Sequence, residues 1–441
     1  MFNAIGILVG LALLIFLVFK RVNLVLSAII ATLFIGLVNG LPFWKIFDIF
    51  ATGVGGFLSS VLMVFFCAAV YAQVFTDSGC AASVSYFIID LFKGSKYVAL
   101  TIPIISAILV YGGISVFVAI FAVMPIGVLL LKETNLNKSL LPGLFNFGAT
   151  TFAMTALPGS PQLCNIIPAN MLGTKPTAAP VLGITATLVM IVLGFLYFKK
   201  QIDKYRREGR GFDETTVTPA MLAVTSREDC PRPWKAFLPM IAMMVIYLGL
   251  ANGWFAEPME TFPAVNTAML IGTAMILLLN PQKFKTVLKA VTVGSTQWIN
   301  PLLNLCIVIG MGAVVKATPG FETVVRLALN IPGNAYVSAA VSTDLVAGIT
   351  GSASGGLQIA LEALADRWLA QGANVEALHR ICAVASGGLD SLPHAGGMFT
   401  VFVVCNETYK DGYMHIFWTT VAIPIVAAIV IVLLASMGIV Y

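Results

Sequence analysis

Charge is scarce in this chain: only 10% of its 441 residues are Asp, Glu, Lys or Arg, where soluble domains carry about 25%. With 59% apolar residues and a mean hydropathy of +0.95, that scarcity excludes a soluble globular protein and leaves an all-α polytopic membrane protein. The pI near 8.8 therefore points to no nucleic acid, because basic residues beside membrane spans report orientation. Histidine is scarcer still. His379, His394 and His415 are the only three, with 379 and 415 placed near the membrane surfaces, and they cannot build the cage or nucleophile–base set of an embedded enzyme. No cofactor and no metal are expected. The seven cysteines are scattered without a CxxC or ligand spacing, so neither disulfides nor zinc are implied and they read as small buried apolar residues.

What is present is a series of apolar runs. Residues 2–19 precede Lys20-Arg21, the reverse of a cleaved signal peptide, so a retained first helix with its N-terminus outside is expected. A second span covers 22–40, an interfacial stretch 42–52, a third span 55–76, and an amphipathic stretch 80–92. Residues 97–131 are apolar on either side of Tyr111-Gly112-Gly113. The first arm is about 21 Å long as a helix, short of the roughly 30 Å hydrocarbon core, so the segment reads as a re-entrant hairpin. Residues 140–172 hold an interrupted span, in which Ser160-Pro161 has the composition of a helix start. After 177–198 comes the one long hydrophilic segment, 199–235, read as a cytoplasmic linker.

Beyond the linker the pattern repeats. Spans at 237–251 and 262–280 answer the first two, and Gly53 to Gly79 matches Gly294 to Gly320 at a constant offset of 241. A second hairpin is expected at 334–370 with its tip at 350–356, a second broken helix at 374–405, and a last helix at 413–438. The division is a first repeat 1–198, the linker, and a second repeat 236–441. Five crossings and one hairpin per repeat make the second copy inverted in the membrane. Nineteen of the 25 Lys and Arg then fall inside, as the positive-inside rule requires, and both termini lie outside.

Residues 385–397 (ASGGLDSLPHAGG) are the candidate centre. Gly387, Gly388, Pro393, Gly396 and Gly397 oppose a continuous helix, and ionisable groups on broken backbone at membrane depth persist where they line a cavity. Asp390 and His394 form a titratable pair four residues apart; at the matching positions of the first repeat stand Thr155 and Gly159. A carboxyl group in apolar surroundings takes up a proton readily and histidine titrates near neutrality, so Asp390 is the expected proton carrier and His394 its partner or a substrate contact. In the alternative, Asp390 caps the restarting helix and His394 is structural. Asp344 and Glu362 are weaker candidates, Glu362 facing the outer vestibule. A carboxylate substrate would be held by helix N-termini and neutral donors: Gly113 and Ser115 at the first tip, Thr155, Ser160 and Gln162 at the first break, Gly351, Ser352 and Ser354 at the second tip, and Ser391 and His394 at the second break. The plainer alternative is that these hydroxyls bond their own helix carbonyls, with Gly351 and Gly355 packing helices closely. The nearest basic residues, Arg380 and Lys316, are expected toward the outer surface, which favours a monocarboxylate.

The repeat plan, the tip GSASGGLQIALEAL (351–364) and the later LHRICAVASGGLDSLPHAGGMFTVF (378–402) resemble the gluconate permease (GntP) family of the ion transporter superfamily. The likeness covers nearly the whole chain, and the tip wording is closer to members assigned to 3-hydroxybutyrate than to those assigned to gluconate. It implies a proton-coupled symporter in the bacterial inner membrane, importing a small hydroxy monocarboxylate such as 3-hydroxybutyrate or gluconate. It also implies a homodimer and an elevator movement of the hairpin-bearing domain. The sequence departs from the family with Ala395-Gly396 where Asn-Gly is expected, and with a Phe-rich continuation, Phe399 and Phe402. Other readings are a sodium-coupled carboxylate symporter and an organic-anion exchanger; a channel fits inverted repeats less well. The acid–histidine pair, and the lack of paired Ser-Asn-Thr clusters in the hairpins, favour protons. Replacing Na⁺ by choline at fixed pH in a liposome assay should leave uptake unchanged; uptake abolished by choline would identify sodium as the coupling ion.

Overall fold

In apolar surroundings every backbone N–H and C=O must be bonded within the protein, and a chain this hydrophobic meets that demand with helices. The computed structural model describes residues 2–20, 22–217, 226–255, 257–321, 323, 333–393 and 395–441, and the regular structure among them is entirely helical. The first half contains α1 (Phe2–Phe19), α2 (Leu24–Val38), α3 (Phe43–Asp77), α4 (Cys80–Leu91), α5 (Thr101–Tyr111), α6 (Val116–Glu133), α7 (Leu141–Ala149), α8 (Leu163–Leu172) and α9 (Pro180–Arg207). The second contains α10 (Pro233–Asn252), α11 (Thr261–Leu279), α12 (Phe284–Gln297), α13 (Ile299–Lys316), α14 (Ala335–Thr350), α15 (Ala353–Ala370), α16 (Val375–Ala385), α17 (Gly396–Cys405), α18 (Tyr409–Ile416) and α19 (Ile423–Ser436). A π-helical turn, Phe417–Ala422, joins α18 to α19. Among the described residues, α3, α9, α10, α11 and the joined 409–436 helix are long and apolar enough to cross a membrane.

The order of elements recurs between the halves. Each contains a hairpin of two helices (α5–α6, α14–α15), then an interrupted pair (α7–α8, α16–α17), then a long last helix. The halves also exchange partners: α3 packs along α12 and α13, α2 on α13, α8 on α15, α6 on α17, and α9 on α19. Small residues permit the closest of these approaches. A Cβ on Gly53 of α3 would lie 2.6 Å from Ala313 Cβ of α13, and one on Gly310 would lie 2.7 Å from Val54, so these two backbones touch where no larger residue fits.

Three sequence expectations are redrawn. The interfacial stretch at 42–52 and the span at 55–76 form one 35-residue helix, α3, because nothing between them breaks the hydrogen-bond ladder; the matching segment of the second half divides at Trp298. The second tip is shorter than 350–356. Gly351 takes the left-handed conformation (φ +61°) and ends α14, and Ser352 caps α15 by accepting the Gly355 N–H at 3.2 Å, so Ser354, Gly355 and Gly356 are already helical. Helix α9 also runs to Arg207, nine residues into the hydrophilic segment, while Arg227 fastens the far end of that segment to Asp90 through bonds of 2.8 and 3.0 Å.

Helix α7 meets α5 at Gly148, where an added Cβ would lie 2.0 Å from the Pro103 carbonyl oxygen and 2.2 Å from Ser106 Oγ. Gly148→Val should therefore lower thermal stability by about 3 kcal/mol or abolish a monodisperse protein. Gly55→Val, with nothing within 4 Å, should change it by less than about 0.5 kcal/mol; equal behaviour of the two in a detergent thermal-shift assay would contradict this packing.

Candidate functional site

Two segments interrupt the helices. In the first half, α7 ends at Ala149, residues Phe152–Ala156 form a π-helical turn, and the chain stays non-helical until α8 starts at Leu163. In the second half, α16 ends at Ala385 and α17 begins at Gly396. The glycines and prolines that mark these segments in the sequence leave backbone groups without helical partners, and side chains from elsewhere supply them.

The first break is bound to the first hairpin. Gln162 Nε2 donates to the Val110 carbonyl at 2.6 Å and to Ile114 O at 3.4 Å, and Tyr111 Oη donates to the Pro158 carbonyl at 2.9 Å. Gly113 (φ +89°) forms the tip, which rests on Met243 and Tyr71. The second break is bound to the second hairpin: Asp344 Oδ1 on α14 accepts the Leu389 N–H at 2.7 Å, and Gly388 leaves room for that carboxylate, since a Cβ there would lie 2.2 Å from it. The two breaks then meet. A Cβ on Gly387 would lie 2.9 Å from Thr155 Cγ2.

Asp390 is partly buried and accepts a bond from Ser391 Oγ at 2.8 Å; the Ser391 carbonyl accepts from Tyr413 Oη at 3.2 Å. Asp390 does not cap the restarting helix, whose N-cap position is Ala395, so the capping alternative lacks support. Asp344 binds the segment that carries Asp390, through the Leu389 N–H; the sequence offered no signal for this beyond an acid in an apolar hairpin. His394 lies outside the described residues.

The other predicted contacts divide. Thr155 donates to its own helix at Thr151 O (3.0 Å), Ser160 donates to Ala153 O (2.8 Å) instead of capping α8, and Ser352 caps α15. A hydroxyl bonded to its own helix carbonyl describes Thr155, whereas Ser160 bonds a carbonyl across the break and Ser352 serves as a cap. Ser115 and Ser354 are half-buried, and among the described residues their hydroxyls make no hydrogen bond. Gly351 serves the turn. Glu362 pairs with Lys316 at 2.7 Å on a partly exposed surface. An apolar cavity of about 260 Å³ opens beside Asp344 and Gly388, walled by α14 and α19; with a carboxylate as its charged group it has nothing to hold an anion.

Arg380, expected toward the outer side, is completely buried within the protein. Its guanidinium donates to the carbonyls of Ala178 (2.8 and 3.2 Å), Ala156 (3.4 Å) and Pro176 (3.4 Å) and to Asn165 Oδ1 (3.0 Å). A cation from the second half thus closes the carbonyls of the first break and its following loop. Beside it, His379 is also buried, its ring nitrogens bonded to Thr174 (2.6 Å) and Asn165 (3.1 Å), and His415 is bonded to Tyr197 (3.0 Å) and Tyr205 (2.8 Å). No group of three His, Cys, Asp or Glu that could hold a metal occurs among the described residues.

Comparison with known proteins agrees with this architecture. The chain is similar to the crystal structure of the Alcanivorax borkumensis YdaH transporter, at 14% sequence identity with a TM-score of 0.53 over 89% of each chain; at that identity the likeness concerns the fold. It is 32% identical to the uncharacterized transporter YxjC of Bacillus subtilis, over 94% of this chain and 95% of that one. It is 23% identical to an uncharacterized transporter of Haemophilus influenzae over 89% and 88%. The model of the GntP family permeases matches residues 2–438. The chain belongs to the GntP family of permeases: it is a multi-pass membrane protein and a secondary transporter, not an enzyme.

Proposed function

We propose that the protein is a proton-coupled symporter that imports a small hydroxy monocarboxylate, such as 3-hydroxybutyrate or gluconate, across the bacterial inner membrane by alternating access of elevator type. The observation that carries this reading is the meeting of the two interrupted helices, with Asp390 on one of them and Asp344 bonded to the same segment. Ionisable groups inside a membrane bundle mark ion pathways by default. A carboxyl group that binds a proton when the substrate anion is present, and releases it afterwards, would couple the two movements.

The substrate anion would lie at the breaks, against the hydroxyls of Ser115 and Ser354 and the N-terminal ends of the resuming helices, with His394 as a further contact. Backbone amides and hydroxyls suit one carboxylate and its neighbouring hydroxyl. Arg380 supports the monocarboxylate reading for a reason other than the expected one: its donors are already committed to carbonyls and Asn165, so it is not available to a second carboxylate. The recurring order of elements supports two inverted repeats with five crossings and a re-entrant hairpin each, and both termini outside. A homodimer completes the proposal.

Asp390→Asn in proteoliposomes should abolish uptake driven by a pH gradient while leaving part of the substrate exchange; undiminished proton-driven accumulation would remove Asp390 from the role. Asp344→Asn, whose amide oxygen can still accept the Leu389 N–H, should stay within about 1 kcal/mol of wild-type stability, whereas Asp344→Ala should lose about 1–3 kcal/mol. A stability loss for Asn as large as for Ala would show that the Leu389 bond is not what Asp344 contributes.

A further inference from the structure

A second polar site lies far along the chain from the breaks, at the end of α9. Lys96, Lys199, Lys200, Arg206 and Arg207 surround a cavity of about 560 Å³, with Asp203 as the acid in its wall. Such a concentration of like charge is unfavourable unless anions answer it, and Asp203 is one acid against five cations. Among the described residues none of the five forms an ion pair, although Lys204 pairs with Glu208 and Lys132 with Glu214 close by. Asp203 is already engaged, both carboxylate oxygens accepting from Tyr97 Oη at 3.1 and 2.9 Å. The Tyr97 ring in turn lies 4.7 Å from Lys96 Nζ, 5.8 Å from Lys199 Nζ and 6.0 Å from the Arg206 guanidinium, and Arg206 is anchored to the Lys96 carbonyl. Lys96, Lys199 and Arg206 are thus gathered by an aromatic ring and a backbone bond, and the five cations outnumber the one acid in the wall.

Its remaining wall residue identifies the occupant. Leu196 is 58% exposed and continues a stripe of exposed apolar residues along α9 through Val192, Leu188 and Ile184. From Ile184 to Leu196 is about 18 Å of helix, roughly the depth of one leaflet. A soluble phosphate would use the cations and ignore the stripe; a phospholipid uses both, its headgroup among the cations and its acyl chains down the stripe.

We infer that the cavity at the end of α9 is a binding site for an anionic phospholipid. Native mass spectrometry of the purified full-length protein, titrated with phosphatidylglycerol or cardiolipin against phosphatidylcholine, tests it. Wild-type protein should retain the anionic lipids in preference. Lys199→Gln/Lys200→Gln/Arg207→Gln should weaken that retention by roughly one to two orders of magnitude, while Lys283→Gln/Lys285→Gln/Lys289→Gln, removing equal charge elsewhere, should not. Equal retention by both triple variants, or no headgroup preference in the wild type, would overturn the site. Displacement of the lipid by inorganic phosphate at comparable concentration would overturn its assignment to a lipid and give it to a soluble phosphate.

Discussion

The structure depends on how hydrogen bonds are restored where two helices stop inside an apolar protein. An unpartnered buried carbonyl or amide costs about 1–3 kcal/mol, and each interruption exposes several. The repairs are made by side chains from distant positions: Gln162 and Tyr111 between the first hairpin and the first break, Asp344 at the second break, and Arg380 reaching from one half to the carbonyls of the other. Each repair also fixes a position. The two breaks are consequently pressed together at Thr155 and Gly387, and functional groups on irregular backbone acquire a defined geometry.

Arg380 shows how far this logic extends. A buried cation without a nearby carboxylate would be strongly unfavourable, yet each of its nitrogens meets an oxygen. Its burial on α16 and its bonds to 156–178 join the halves at the point where the fold is least regular. His379 on the same helix is bonded to Asn165 of α8, so the region around the first break is held by a connected polar network and not by apolar packing alone.

Much of this was legible in the sequence, and the reason is local. Glycine and proline act on the backbone at their own positions, so 111–113, 157–161 and 387–397 read as interruptions, and the offset between Gly53–Gly79 and Gly294–Gly320 matches the recurring order of helices. Pairings across more than 200 residues leave no such mark. Nothing near Arg380 indicates that its partners stand at 156, 165, 176 and 178, and its charge alone suggested a surface. Ser160 differs for a related reason: its position before Pro161 fits a cap, but its hydroxyl turns back to Ala153 because the chain there doubles on itself. The boundary at 42–55 was misplaced because charged and aromatic residues in α3 resemble an interface while remaining compatible with helix.

The central claim is that the paired interruptions hold a small organic anion together with a proton. The most direct measurement is a thermal-shift panel of short hydroxy and keto acids on the purified protein at two pH values. The account predicts that a hydroxy monocarboxylate raises the melting temperature, and raises it more at the lower pH, because ligand and proton favour the same state. Stabilisation of equal size at both pH values, or none by any acid in the panel, would contradict it.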